Sequence, residues 1–471
     1  MLFTEINFVY FIFVVIALQF VGNNTYKKVV LLSASYFFYG YWDWRFLSLI
    51  WISTIVDFMV GKAIYSSFDH KKRKRLLFIS IITNLGILGF FKYFNFFIDS
   101  YNHLFGNSDH YTTLNIILPI GISFYTFQTM SYTIDIYRNK LQPTKSILDF
   151  SNFVAFFPQL VAGPIERAKN LLPQMEKYSG LSNQYLKKAV ILLFLGYVKK
   201  VFIADNIAPI VNHHFENYML LNSFEMFYAL YLFSFQIYFD FSGYSDIARG
   251  LALLFGINLI ENFNQPYFSK SPTEFWSRWH ISLSTWLKDY LYIPLGGNRA
   301  GLVRTNINLM ATMLLGGLWH GASWNFVLWG GLHGFYLILN KIIRRYKAQR
   351  KSRRVINNFS PIKILFTYLL ILITWLPFRS NNLDVTISIF SNILNFTGNI
   401  SYSNVYTMLF LFVLLLSLDL PAYFLGTHLF LLKIPKMILT IIIAIVTIFG
   451  IIITLFINPI DTARPFIYFQ F

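Results

Sequence analysis

The sequence predicts an all-α polytopic membrane protein: a bundle of about a dozen helices with re-entrant segments. Three observations carry that prediction. Apolar runs long enough to cross a bilayer recur from end to end of the 471 residues. Charged residues make up only 13% of the chain, against about 25% in a soluble domain. Mean hydropathy is +0.51, and no long polar segment interrupts the apolar runs. The reading is one membrane domain over residues 1–471.

The elements follow in order. Phe3 to Val21 lacks a basic leader and a small-residue cleavage site, so it is expected to be a retained span. Val29 to Ser67 is too long for one crossing, and Tyr41-Trp42-Asp43-Trp44-Arg45 divides it into a hairpin with interfacial aromatics. Asp69 to Arg75 is a strongly basic loop, cytoplasmic by the excess of Lys and Arg. Leu76 to Ile98 then crosses outward, and Leu114 to Tyr137 returns through Pro119-Ile120-Gly121. Phe150 to Gly163 is too short to cross and holds Pro158 and Gly163, the pattern of a re-entrant piece covered by protein.

Ala189 to Ile210 goes outward and carries Lys199 and Lys200 against the charge rule. They either snorkel to the interface or line an inward cavity facing a phosphate-bearing ligand. Phe224 to Ile257 holds Asp240, Ser242 and Asp246, and two carboxylates inside a span need partners or a wet cavity. Their spacing of six does not put them on one face of a straight helix, and Gly243 offers a break. These three residues are candidates for lining such a cavity.

Glu261 to Arg304 lies inside. Within it, residues 271–291 read as one amphipathic helix at the interface, with Trp276, Trp279, His280, Leu283 and Leu287 on a shared face. Asn306 to Asn340 leaves the inside and returns, since Lys341 to Arg354 carries eight Lys or Arg residues. Ile362 to Phe378, Tyr406 to Leu425 and Ile438 to Ile457 complete the spans. Charge bias leaves the tail, residues 458–471, outside.

The chemistry is expected at Gly316 to Gly334, where His320 and His333 sit among tryptophans and glycines. A titratable imidazole inside a span is costly, and its pKa near neutrality suits acid–base work. The plainer reading is polar glue between helices. In one continuous helix their offset of thirteen residues would span about 20 Å, so a break at Gly321-Ala322-Ser323 is needed to bring both into one cavity. Trp319, Trp324 and Asn325 are candidate neighbours. With no cysteine in the chain, disulfides, thiolate metal sites and a cysteine nucleophile are excluded, and no metal is expected. The net charge of +18 is read as an orientation signal, with no nucleic-acid partner and membrane lipids as surroundings.

Several long motifs resemble the membrane-bound O-acyltransferases, in particular the bacterial polysaccharide acetylases of the alginate O-acetyltransferase type. They are Leu118 to Tyr125, Gly163-Pro164, Tyr238 to Asp246, Thr273 to Leu287 and, most clearly, Gly316-Gly317-Leu318-Trp319-His320-Gly321-Ala322. The resemblance implies a bundle with a central tunnel, through which an acyl group passes from a cytoplasmic donor to the outside. It maps the family's essential histidine onto His320 and a second onto His333. It implies acetyl-CoA as donor and a periplasmic partner, an SGNH-type acetylase or a polysaccharide-modification complex, in a bacterial inner membrane. Lys199, Lys200, Arg278, His280, Lys288 and Arg299 are candidates for holding the donor. The aromatic end Phe466 to Phe471 resembles the C-terminal motif of small accessory proteins in teichoic-acid D-alanylation, which makes Tyr468 a candidate acyl relay. The expected function is O-acetylation of an envelope polysaccharide, alginate-like or peptidoglycan. The alternatives are a proton-coupled transporter or flippase of an envelope precursor, and an inert scaffold.

Overall fold

The computed structural model describes residues 1–106, 111–299, 301–349, 359–399, 401–457 and 464–467, and every regular element among them is helical. Among the described residues, five segments are long and apolar enough to cross a membrane: Asn24–Ser66, His70–Phe105, Trp324–Tyr346, Pro361–Arg379 and Tyr402–Leu425. Shorter apolar helices, such as Ile6–Gln19, accompany them. The described residues fall into two compact units.

The first unit contains Met1–Leu195 and Tyr244–Ile260. Its helices α1 (Ile6–Gln19) and α2 (Asn24–Asp43) precede the expected turn, where Asp43 accepts from the Arg45 backbone N–H at 3.0 Å and pairs with its guanidinium at 2.6 Å. The chain then continues as α3 (Leu47–Ser66). The basic stretch expected to be a loop is instead the start of α4 (His70–Leu88). Asp69 caps it by accepting from the Lys71 N–H at 2.8 Å, and Lys and Arg are good helix formers. Helices α3 and α4 pack with α5 (Ile122–Tyr137) around a buried polar knot, in which Asp57 accepts from Ser80 Oγ at 2.5 Å and Asn84 Nδ2 at 2.8 Å. Such side-chain bonds replace the missing hydrophobic drive between helices in lipid. The short broken run forms α6 (Ile147–Ala155) and α7 (Phe157–Leu160), and Phe150, Phe153, Phe156 and Phe157 are all fully buried.

The second unit contains Gly196–Gly243, residues 261–457 and residues 466–467. It opens with the π-helical turn Val198–Ala204. The long helix α8 (Ser223–Leu254) contributes its first part here. Gly243 does not break it. A Cβ at 243 would lie 2.8 Å from the Gly196 carbonyl oxygen and 2.9 Å from the Lys200 nitrogen, so the glycine serves close backbone approach.

The segment read as a single amphipathic helix is two short helices, α9 (Pro272–Arg278) and α10 (Ile281–Leu287), followed by a π turn. Trp279 is extended and His280 is left-handed, with φ +43° and ψ 53°, which interrupts the helix. The expected shared face is nonetheless buried, since Trp276, Trp279, His280, Leu283 and Leu287 are all inside the protein.

Helices α11 (Gly301–His320) and α12 (Trp324–Gln349) form the expected hairpin, turning at residues 321–323. Their glycines interlock. A side chain at Gly317 would collide with the Phe326 carbonyl, and one at Gly330 with the Met313 carbonyl. Small residues let two backbones approach in this way, which is the main source of helix adhesion in lipid. Helices α9 and α13 (Pro361–Arg379) both pack on α12.

Candidate active site

Three buried histidines gather within the second unit. His320 is the last residue of α11. His333 lies two to three turns into α12, and His280 occupies the left-handed position between α9 and α10. Trp329 stands between the two hairpin histidines, its ring 4.9 Å from His320 and 4.6 Å from His333. The His280 ring is 6.1 Å from that of His320. Trp319 packs on both, at 5.1 Å from His320 and 5.8 Å from His280. Phe378, at 5.5 Å from His320, comes from α13. The helix break therefore gathers both hairpin histidines around one tryptophan.

Hydrogen bonds fix two of the rings. Asn262 Oδ1 accepts from the Ser282 backbone N–H at 3.2 Å, which identifies that atom as oxygen. His280 Nδ1, 3.1 Å from the same oxygen, must therefore be the donor. The lone pair of neutral His280 is then on Nε2, a fully buried atom with no hydrogen-bond partner among the described residues. Burial pushes the imidazole pKa down to about 3, so the ring is neutral across the physiological range. The opposite holds at His333. Its Nδ1 accepts from Trp276 Nε1 at 3.2 Å, which leaves the proton on Nε2. A non-glycine residue in the left-handed region stores backbone strain, and such residues cluster where function demands them. Asn262 holds the strained turn, because its carbonyl also accepts from the Ile281 N–H at 3.0 Å.

The other sequence candidates are placed as follows. Trp319 belongs to the histidine cluster. The Asn325 Nδ2 donates to the Ser380 carbonyl at 2.6 Å and fastens the start of α12. Asp240 is ion-paired with Lys200 at 2.9 Å, and Asp246 with Arg249 at 3.5 Å, so both carboxylates have charged partners. Ser242 is buried on α8. Lys200 also meets Asp205 at 2.7 Å. Lys199 is buried in the same π turn, beside Gly243. Arg278 is held by Glu274 at 3.0 Å and the Asn264 carbonyl at 3.0 Å, and lies over the Tyr423 ring. Lys288 and Arg299 are exposed. Tyr468 lies outside the described residues.

Sequence reasoning named His280 only as a possible donor ligand and did not place it beside His320. It also missed Trp329, Trp375 and Asn262. Trp375 packs on Trp279 at 5.0 Å and on Phe378 at 5.5 Å, closing the aromatic wall behind the histidines. The one signal available was the crowding of Trp and His in two separated motifs.

Comparison with known proteins gives a consistent picture. The sequence pattern of MBOAT, the membrane-bound O-acyltransferase family, matches residues 36–377. The chain is 41% identical over 384 residues to a probable alginate O-acetylase AlgI of Azotobacter vinelandii, covering 81% of this chain and 75% of that one. It is 36% identical over 429 residues to a peptidoglycan O-acetyltransferase of Helicobacter pylori, covering 82% and 79%. A teichoic acid D-alanyltransferase of Streptococcus thermophilus is 29% identical over 259 residues, covering 51% and 61%.

Proposed function

Because the chain belongs to the membrane-bound O-acyltransferase family, and is thus a multi-pass membrane acyltransferase, we propose that it moves acetyl from cytoplasmic acetyl-CoA outward for O-acetylation of an envelope polysaccharide. The observation that carries the reading is the buried cluster of three histidines around Trp329. The relatives named as alginate and peptidoglycan O-acetylating enzymes support acetyl as the acyl group and a polysaccharide as the acceptor. The setting is a bacterial inner membrane, with the C-terminus outside.

In this reading His320 removes the proton from an attacking hydroxyl. The hydroxyl oxygen bonds to the thioester carbonyl carbon, and the carbonyl electrons move onto oxygen. Collapse of that oxyanion expels the thiolate of coenzyme A, which takes the proton from the His320 imidazolium. Donors close to the developing oxyanion lower the barrier, and the Nε2–H of His333 and the indole N–H groups of the cluster are the donors at hand. His280, neutral with its lone pair on Nε2, offers a hydrogen-bond acceptor beside His320. The aromatic shell excludes water, which protects the thioester from hydrolysis and strengthens each electrostatic contact. Lys288 and Arg299 are exposed cations suited to the donor's phosphates. Tyr468 serves as a transient carrier, and a periplasmic SGNH-type acetylase or polysaccharide-modification complex finishes the transfer.

The purified protein is expected to release coenzyme A thiol from acetyl-CoA when supplied with an acceptor. The chain has no cysteine, so a thiol reagent reports only the coenzyme. Mass spectrometry of envelope polysaccharides from strains with and without the protein should show one polymer losing its O-acetyl groups. Acetylation unchanged in every polymer, together with proton-driven uptake of a solute by reconstituted vesicles, would replace the enzyme reading with a transporter.

A further inference from the structure

Phe466 and Ile467 are bonded into the core of the second unit. Phe466 and Ile467 are 1% and 2% exposed. The Ile467 backbone N–H donates to Asp240 Oδ2 at 2.8 Å. The other oxygen of Asp240 meets Lys200 Nζ at 2.9 Å, and Lys200 in turn meets Asp205 at 2.7 Å. Two carboxylates bear on one ammonium, and a buried carboxylate is met by hydrogen-bond donors as well as by its counter-ion. The N–H of Ile467 is one of them, supplied by a residue 227 positions along the chain.

The local sequence builds this arrangement. A π turn at Val198–Ala204 carries Lys200, and Gly243 lets α8 approach that turn at backbone distance. The last apolar helix, α14 (Lys436–Ile457), packs on the same turn. The Phe466 ring lies 5.3 Å from Phe241, and Phe241 lies 4.7 Å from His280, itself 6.1 Å from His320. A continuous line of rings thus runs from the held segment to the histidines.

We propose that the Asp205–Lys200–Asp240 triad is a clasp that holds the C-terminal segment beside the histidine cluster, so that Asp240 and Lys200 are positioning residues for acyl transfer. The proposal deepens the relay reading of Tyr468 and rests on it for its role in the reaction. The clasp itself has a separate readout. A held segment shields Ile467, whereas a released one exposes it to reagents.

The full chain in membrane vesicles tests this. Ile467→Cys places one thiol in a cysteine-free protein, and a small maleimide reads its accessibility. Adding Asp240→Ala is expected to speed labelling by about 10- to 100-fold, the range for losing a hydrogen bond to a charged group. Equal rates, or rapid labelling before Asp240 is changed, would overturn the clasp. Ile467→Pro removes the donated N–H without touching the triad, which guards against a folding defect in the Asp240 variant. It is expected to slow acetyl transfer by about tenfold at normal protein level. Transfer at the parent rate overturns the positioning role. Full transfer by Tyr468→Phe alongside slow labelling of the Ile467→Cys variant would remove the relay reading and leave the clasp standing.

Discussion

Replacing His320 with alanine is expected to reduce acetyl transfer by about 10²- to 10⁴-fold, the usual contribution of a positioned general base. Each factor of ten corresponds to about 1.4 kcal/mol of barrier. No other imidazole takes over its place at the end of α11, since His333 donates from Nε2 and His280 is held by Asn262. Alanine also leaves a void among Trp319, Trp329 and Phe378, so His320→Gln, closer in volume, serves as a companion. Both variants should accumulate in the membrane at parental levels. The measurement is polysaccharide O-acetyl content by mass spectrometry, normalised to protein. Acetylation within twofold of the parent in both variants would mean that His320 is polar glue after all.

The second large effect is on folding. Gly330→Val is expected to destabilise the protein by about 1–3 kcal/mol or more, as overpacking of a tight contact does. A Cβ at this position would overlap the Met313 carbonyl and lie 3.1 Å from the Leu314 Cα. Both are backbone atoms of the facing helix and cannot rotate away. The neighbouring Gly331 is the control, because a Cβ there meets only Leu314 Cδ2 at 3.6 Å. Gly331→Ala should therefore melt close to the parent in detergent. If Gly330→Val melted with it, close packing of the α11–α12 hairpin would not be what holds the histidines together.

Much of the fold follows from local signals. The hairpin at residues 321–323 was legible because Gly and Ser interrupt an apolar run between two basic boundaries. The buried pair α6 and α7 was legible because a short run with Pro158 and Gly163 has no way to cross a bilayer. Long-range pairings were not legible. Asp240 finds Lys200 across 40 positions, and no periodicity announces that. Gly243 read as a break, and only the facing Gly196 carbonyl shows that it serves close approach instead. The site was half visible. Its motifs stood out, but the turn that brings His280 to His320 depends on one residue adopting a left-handed backbone, and Trp-His-Ile gives no warning of it.

That residue has a consequence for how the sequence drifts. The backbone at 280 would be most comfortable with glycine, and asparagine would be the next choice. Histidine sits there at an energetic disadvantage. Selection for folding alone thus pulls position 280 towards glycine, while selection for chemistry holds it at histidine. Populations of variants sorted by stability and by acetylation should part company at this position. A lineage that lost its acceptor polymer would be expected to lose this histidine early, since natural proteins relax strained functional positions once the function is gone.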